Sequence, residues 1–157
     1  LVGSEMCIRD RSNFYPDRFI DIHNFAEIKP AINQVETHVF QQQKTAKEYL
    51  KKCGAQIESW GPFAEGKNDY FNNPVLKEIG AKHGKSAAQV ALRFLMQSDV
   101  VVIPKSTHKG RMEENFNVFD FTLTAEEMKA VEALDGDESL FFSHYDPEIV
   151  EWFMTMV

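Results

Sequence analysis

The stretch VVIPKSTHKGRMEEN (101–115) decides how the chain reads. Val101, Val102, Ile103 and Pro104 are apolar and run directly into Lys105, Ser106 and Thr107, and a helix-like segment with the further cations Lys109 and Arg111 follows. A short apolar run that stops at a polar loop and leads into a helix is one strand-helix unit. The loop itself has two readings. A strand end opening onto a helix N-terminus holds phosphates, because backbone N–H groups and the helix dipole point at the anion. An exposed turn with ordinary surface charges accounts for the same residues, since lysine, serine and threonine are all common in loops.

Upstream the same alternation recurs. PAINQVETHV (30–39) reads as a buried strand with polar residues at its far end. In QQQKTAKEYLKKCG (41–54), Ala46, Tyr49, Leu50 and Cys53 share one helical face, with Lys51 and Lys52 in the last turn and Gly54 as a stop. AQIESWGPF (55–63) is a second strand running into a Gly-Pro turn. Two helical segments meet at a break near Gly84: one carries Val75, Leu76 and Ile79, the other opens with Ser86 and Gln89 in a capping box and buries Ala87, Val90, Ala91, Phe94 and Leu95. DVVVIP (99–104) is the third strand, and a helix runs from the polar loop to about Phe116. TLTAEEMKAVEAL (122–134) repeats the capping logic with Thr124 and Glu127. The tail from Asp135 reads as a loop that packs aromatics without regular periodicity.

Strands alternating with helices imply βαβ units and a parallel sheet. Three strands are too few for a closed barrel, which takes eight, or for a doubly wound sheet. The expectation is part of an α/β fold.

At 157 residues, 43% hydrophobic and 26% charged, the composition is that of a globular protein of one domain. The formal charge of −7 argues against general nucleic-acid affinity. No segment approaches the ~20 apolar residues of a membrane span, and no signal peptide is evident. Two cysteines, Cys7 and Cys53, give no disulfide framework, so the expected compartment is the cytoplasm; Cys53 reads as a small buried hydrophobe. His38 ends the NQVE strand, where packing and one hydrogen bond account for it. His23, His83, His108 and His144 stand at no metal-ligand spacing, so no metal site is expected.

Four motifs in order, SNF (12–14), NQVE (33–36), SWGPF (59–63) and IPKS (103–106) with Arg111, Glu114 and Asn115 behind it, resemble the C-terminal half of an aldo-keto reductase. SWGPFAEGKNDYF looks closest to the bacterial diketogluconate-reductase-like branch. The resemblance implies the C-terminal part of a (β/α)8 TIM barrel over residues 12–157, binding NADP(H) and reducing a small-molecule aldehyde or ketone to an alcohol by hydride transfer. It gives Ser12, Asn13 and Gln34 to the nicotinamide carboxamide and Trp60 to stacking on the nicotinamide ring. Gly61, Pro62 and Phe63 fall to the loop beneath the pyrophosphate. Lys105, Ser106 and Arg111, with Thr107 among them, match the clamp on the adenosine 2′-phosphate. Glu114 and Asn115 match the residues on the adenine edge. The chemistry suits these roles: amides and hydroxyls complement a carboxamide, and a phosphate near two charges favours cations.

Two departures qualify the resemblance. The family's tyrosine acid, with the lysine, aspartate and histidine that assist it, belongs to motifs of the N-terminal half, and none of these motifs is present. A tyrosine near its ordinary pKa of about 10 needs such help. The opening LVGSEMCIRDR (1–11) does not resemble the apolar strand expected before SNF and reads as a junction foreign to the family. The expectation is a fragment that carries the cofactor clamp, is inactive alone and self-associates through its open sheet. The alternatives are a non-catalytic NADPH-sensing module and a truncation product without function.

Overall fold

In the computed structural model, which describes residues 9–156, four parallel strands pair in sequence order. They are β1 (Asp10–Ser12), β2 (Ile32–Glu36), β3 (Gln56–Trp60) and β4 (Val100–Val102). Seven helices follow the chain among the described residues: α1 (Pro16–Phe25), α2 (Lys44–Lys52), α3 (Pro74–His83), α4 (Ala87–Gln97), α5 (Lys109–Phe116), α6 (Ala125–Glu132) and α7 (Pro147–Met154). A kinked stretch of 3-10 turns spans Ala64–Asn72. The strands are staggered little, Ser12 pairing with Gln34, Gln34 with Glu58 and Glu58 with Val101, so their C-terminal ends share one edge.

Alternation along the strands divides the sheet into two faces. Asn33, Val35, Ile57, Ser59 and Val100 are buried on the face that the helices cover. There they meet a core of Leu50, Leu76, Val90, Ala91, Phe94 and Leu95, each at most 2% exposed. The opposite face carries Gln34 and Glu58, joined at 2.5 Å, and the exposed Val101. A parallel sheet with helices on one side and a bare second side is a sector of a (β/α)8 barrel, whose strands turn that second side inward.

The helix boundaries have local causes. Ser86 and Thr124 form the expected capping boxes with Gln89 and Glu127, each worth roughly 1 kcal/mol. Gly84 ends α3 at φ +65°, a conformation that costs glycine little. Gly80 lets α3 approach the next turn, since a Cβ there would collide with the Lys85 carbonyl oxygen.

Several features depart from the sequence reading. A fourth strand exists, because Asp10 and Arg11 of the supposed foreign segment pair with Ile32 and Asn33. A short edge strand is held through its backbone and needs no apolar side chains. Residues 1–8 of that segment, Cys7 among them, lie outside the described residues. Helix α1, which the reading passed over, starts with Pro16 at N1 and buries Phe19 at 1% exposure. Cys53 packs against the core but is only half-buried, because it stands at the C-terminal cap of α2 rather than within it. The tail is not all loop: Asp146 caps α7 by accepting from the Glu148 amide at 3.0 Å. No residue of α7 is buried, and its eight residues open without the capping box that marks α4 and α6.

Candidate functional site

The C-terminal edge of the sheet gathers the expected residues at two places. The first is where β1, β2 and β3 end. Asn13 sits just past β1 at φ 59°, its amide donating to the Gln34 carbonyl at 2.8 Å. Its side-chain Oδ1 accepts from Trp60 Nε1 at 2.7 Å. Gln34 spends its Nε2 on Glu58. With amide orientations taken from these bonds, Asn13 Nδ2 remains to donate and Gln34 Oε1 to accept, and neither has another partner among the described residues. One donor beside one acceptor is the complement of a carboxamide, which offers an oxygen and an NH2 group. Ser12 is exposed and joins Gln34 through backbone register alone.

Glu36 underlies this corner. Its Oε1 accepts from His38 Nε2 and from the Leu140 amide, both at 2.9 Å, and its Oε2 from Ser139 Oγ at 2.5 Å. His38 Nδ1 accepts from the Phe40 amide at 3.2 Å, so a neutral ring protonated on Nε2 satisfies both contacts. Burial pushes the Glu36 carboxyl up, and the bonds from His38, Ser139 and Leu140 outweigh it, so its pKa lies below the ordinary carboxylate value. The NQVE motif was legible but assigned no role to Glu36, because two of its partners lie 103 and 104 positions away.

The second place is the loop after β4. Lys105, Ser106, Thr107, His108 and Arg111 line one cavity with Glu114 and Asn115 of α5 and Phe63 from the loop after β3. Lys105 and Arg111 are exposed and form no ion pair or hydrogen bond among the described residues, whereas Lys85 and Lys109 each have a carboxylate partner. Ser106 Oγ accepts from the His108 amide at 3.1 Å, and α5 begins with neither a side-chain cap nor an acid in its first turn. Uncapped amides and two cations without an ion pair among the described residues line one cavity, an arrangement chemically able to hold an anion such as a phosphate. Glu114 is partly engaged, its carboxylate accepting from Ser86 Oγ.

Gly61, Pro62 and Phe63 join the two places. Gly61 turns at φ +65°, and the buried Pro62 offers its carbonyl to Tyr70 Oη at 2.8 Å. Phe63 packs on Tyr70 and Phe71 and reaches the cavity of Lys105. Among the described residues no cluster of three or more His, Cys, Asp or Glu could hold a metal ion, and no helix is long and apolar enough to cross a membrane.

The fold class is thus a sector of a (β/α)8 barrel, with Asn13, Gln34 and Trp60 at one end of its C-terminal edge and Lys105 and Arg111 at the other. The sequence profile of the Aldo/keto reductase family matches residues 11–136, and the chain belongs to that family of oxidoreductases. It is 44% identical over 130 residues to 9,11-endoperoxide prostaglandin H2 reductase of Trypanosoma cruzi (strain CL Brener), covering 82% of this chain and 46% of the relative. A solved structure provisionally described as a 2,5-diketo-D-gluconic acid reductase B superposes with TM-score 0.79 at 38% identity, over 87% of this chain and 49% of the other. A point mutant of Gox0644 in complex with NADPH superposes with TM-score 0.75 at 35% identity, over 79% of this chain and 45% of the other. The chain thus spans about half the length of the relatives it matches.

Proposed function

We propose that this chain supplies the cofactor-binding side of an NADPH-dependent carbonyl reductase of the cytoplasm. The observation that carries the reading is the pair of unpartnered cations, Lys105 and Arg111, around one cavity at the uncapped start of α5. Bound along this edge, the cofactor would supply a hydride to a carbonyl carbon of a small aldehyde or ketone. Asn13, Gln34 and Ser12 would hold its carboxamide, Trp60 its nicotinamide ring, and Gly61, Pro62 and Phe63 its pyrophosphate. Lys105, Ser106, Thr107 and Arg111 would hold the 2′-phosphate, and Glu114 with Asn115 the adenine edge. One cation at ~4 Å from the phosphate gains roughly 4 kcal/mol at a surface-like effective dielectric, before desolvation and screening reduce it. NADH lacks that phosphate, so discrimination between the two cofactors measures this contact.

Proton delivery is a separate matter. Tyr70 is fully buried, bonded to the Pro62 carbonyl, and burial pushes its pKa up. Tyr15 is engaged with Ser143 and His144, Tyr145 with Asp17, and Tyr49 lies beside Lys52 on α2. None of these tyrosines sits with both a lysine and an aspartate that would make it a useful acid, so the isolated chain binds without reducing. Its exposed Val101 in β4 and Ile103 just past it, with Phe116 and Phe119, support self-association of the isolated chain.

Calorimetric titration of the purified chain tests the reading. Saturable NADPH binding that is at least about tenfold weaker for NADH and for Lys105→Ala supports it, and equal binding of both cofactors contradicts the phosphate assignment. Turnover of an aldehyde with NADPH above a Lys105→Ala control would refute inactivity.

A further inference from the structure

The Trp60 ring, which is half-buried and lines a cavity, already has two aromatic partners. Phe142 is stacked on the indole with ring centroids 5.8 Å apart and 19° between planes, and Phe141 meets it edge-on at 5.1 Å and 66°. Phe142 lines the same cavity as Asn13, Trp60, Glu36, Ser139 and Tyr15. It therefore stands in the cavity that Asn13 also lines, and a planar ring stacked on the indole with its carboxamide on Asn13 would compete with Phe142 for that space.

Three clamps keep the segment 139–145 in place. Glu36 accepts from Ser139 Oγ and from the Leu140 amide, and Ser139 Oγ in turn accepts from the amides of Phe141 and Phe142 at 3.1 and 3.0 Å. Lys67, in the stretch that follows Gly61–Phe63, donates to the Leu140 carbonyl at 2.7 Å and lies 3.7 Å from the centroid of the Phe141 ring. Tyr15 Oη accepts from the His144 amide at 2.8 Å. Beyond the last clamp, Phe153 of α7 packs edge-on against Phe142 at 5.1 Å. The segment is thus held by polar bonds at its ends and presents its aromatic middle to Trp60.

We propose that residues 139–145 form a strap that occupies the stacking face of Trp60 and exchanges with the planar end of the dinucleotide, with Glu36 as its anchor. The proposal rests on the reading of Trp60 as the stacking platform. Exchange is chemically even-handed, since one aromatic ring replaces another on the indole. Its cost is the polar contacts that break when the strap lifts. Release also loosens the loop after β3, because the Lys67 ammonium loses both its carbonyl and its ring. The strap and that loop therefore move as a pair.

The test is calorimetric titration of NADPH into the full chain and into Phe142→Ala and Phe142→Leu. It is joined by chymotrypsin cleavage at Phe141 and Phe142 with and without NADPH. Removing the competing ring should tighten NADPH binding by about fivefold, which is ~1 kcal/mol at 1.4 kcal/mol per tenfold. Saturating NADPH should speed cleavage within the strap. Phe142→Leu, which keeps an apolar side chain for folding, should fall between the other two. Unchanged or weaker binding in both variants, with a wild-type chain that binds, overturns the strap and leaves the platform reading standing. Cleavage slowed by NADPH overturns it as well. Absence of binding by all three folded proteins refutes the platform reading itself, and the exchange with it.

Discussion

The two ends of the site are built in opposite ways. Around Trp60 the chain answers its own polar groups: Asn13 holds the indole, Gln34 holds Glu58, and Glu36 takes three donors from the His38 loop and the strap. Around Lys105 it leaves charges unanswered, with two exposed cations and an uncapped helix on one cavity. In the proposed reading the first end, already folded onto itself, yields to a ligand by exchange, and the second is completed by an anion. Affinity should accordingly come from the phosphate end, while the aromatic end sets geometry.

The strongest way to break this contrast is to remove both cations. Each charge-assisted contact at an exposed site is worth about 1.4 kcal/mol, or tenfold, so Lys105→Ala with Arg111→Ala should weaken NADPH binding about a hundredfold. NADH binding should be nearly unaffected, and calorimetry with both cofactors separates the two results. Glu36→Gln attacks the other end and should lower stability by about 2 kcal/mol, because a buried donor loses its carboxylate acceptor. The loss is read from chemical denaturation. Its pH dependence has a definite sign: the folded pKa is depressed, so the carboxylate's contribution is complete above the ordinary value of about 4.3 and disappears as pH falls below it. The wild-type chain and Glu36→Gln should therefore converge in stability in acid.

Ser86→Ala joins the two themes at smaller scale. It deletes a helix cap worth about 1 kcal/mol and frees the Glu114 carboxylate beside the two cations. The melting temperature should fall by a few degrees, and NADPH binding should weaken as Glu114 competes with the phosphate for Arg111. Salt gives the mildest probe. Raising ionic strength from about 0.1 to about 1 M shortens the Debye length from about 10 to about 3 Å, and NADPH affinity should drop about threefold. Stability at the Glu36 corner should hold.

How far the sequence foretold this molecule depended on distance along the chain. Strands β2, β3 and β4 were legible from short apolar runs, and α4 from Ser86, Gln89 and its buried face, because those signals lie within one element. Lys105, Ser106 and Arg111 were legible as a group for the same reason: a strand end and the helix after it place them on one cavity. Strand β1 was hidden, since three residues held by backbone pairing leave no side-chain pattern. Helix α7 was hidden because it is eight residues long, sits in an aromatic-rich tail and opens without a capping box. The role of Glu36 could not be seen either, as no local pattern connects it to Ser139.

Sequential strand order has a consequence for how this chain assembles. Each strand pairs with the one before it, so the sheet can grow one strand-helix unit at a time, closing modest loops as it goes. The contact from Glu36 to Ser139 spans 103 positions and can form after β2 and most of the helices are in place. Docking of the strap then falls late on the folding route and its release early on the reverse one. Amide exchange should reach Leu140 and His144 at much lower opening free energy than Val35 or Ile57, and the last part of the protein to fold would be the part that moves when it works.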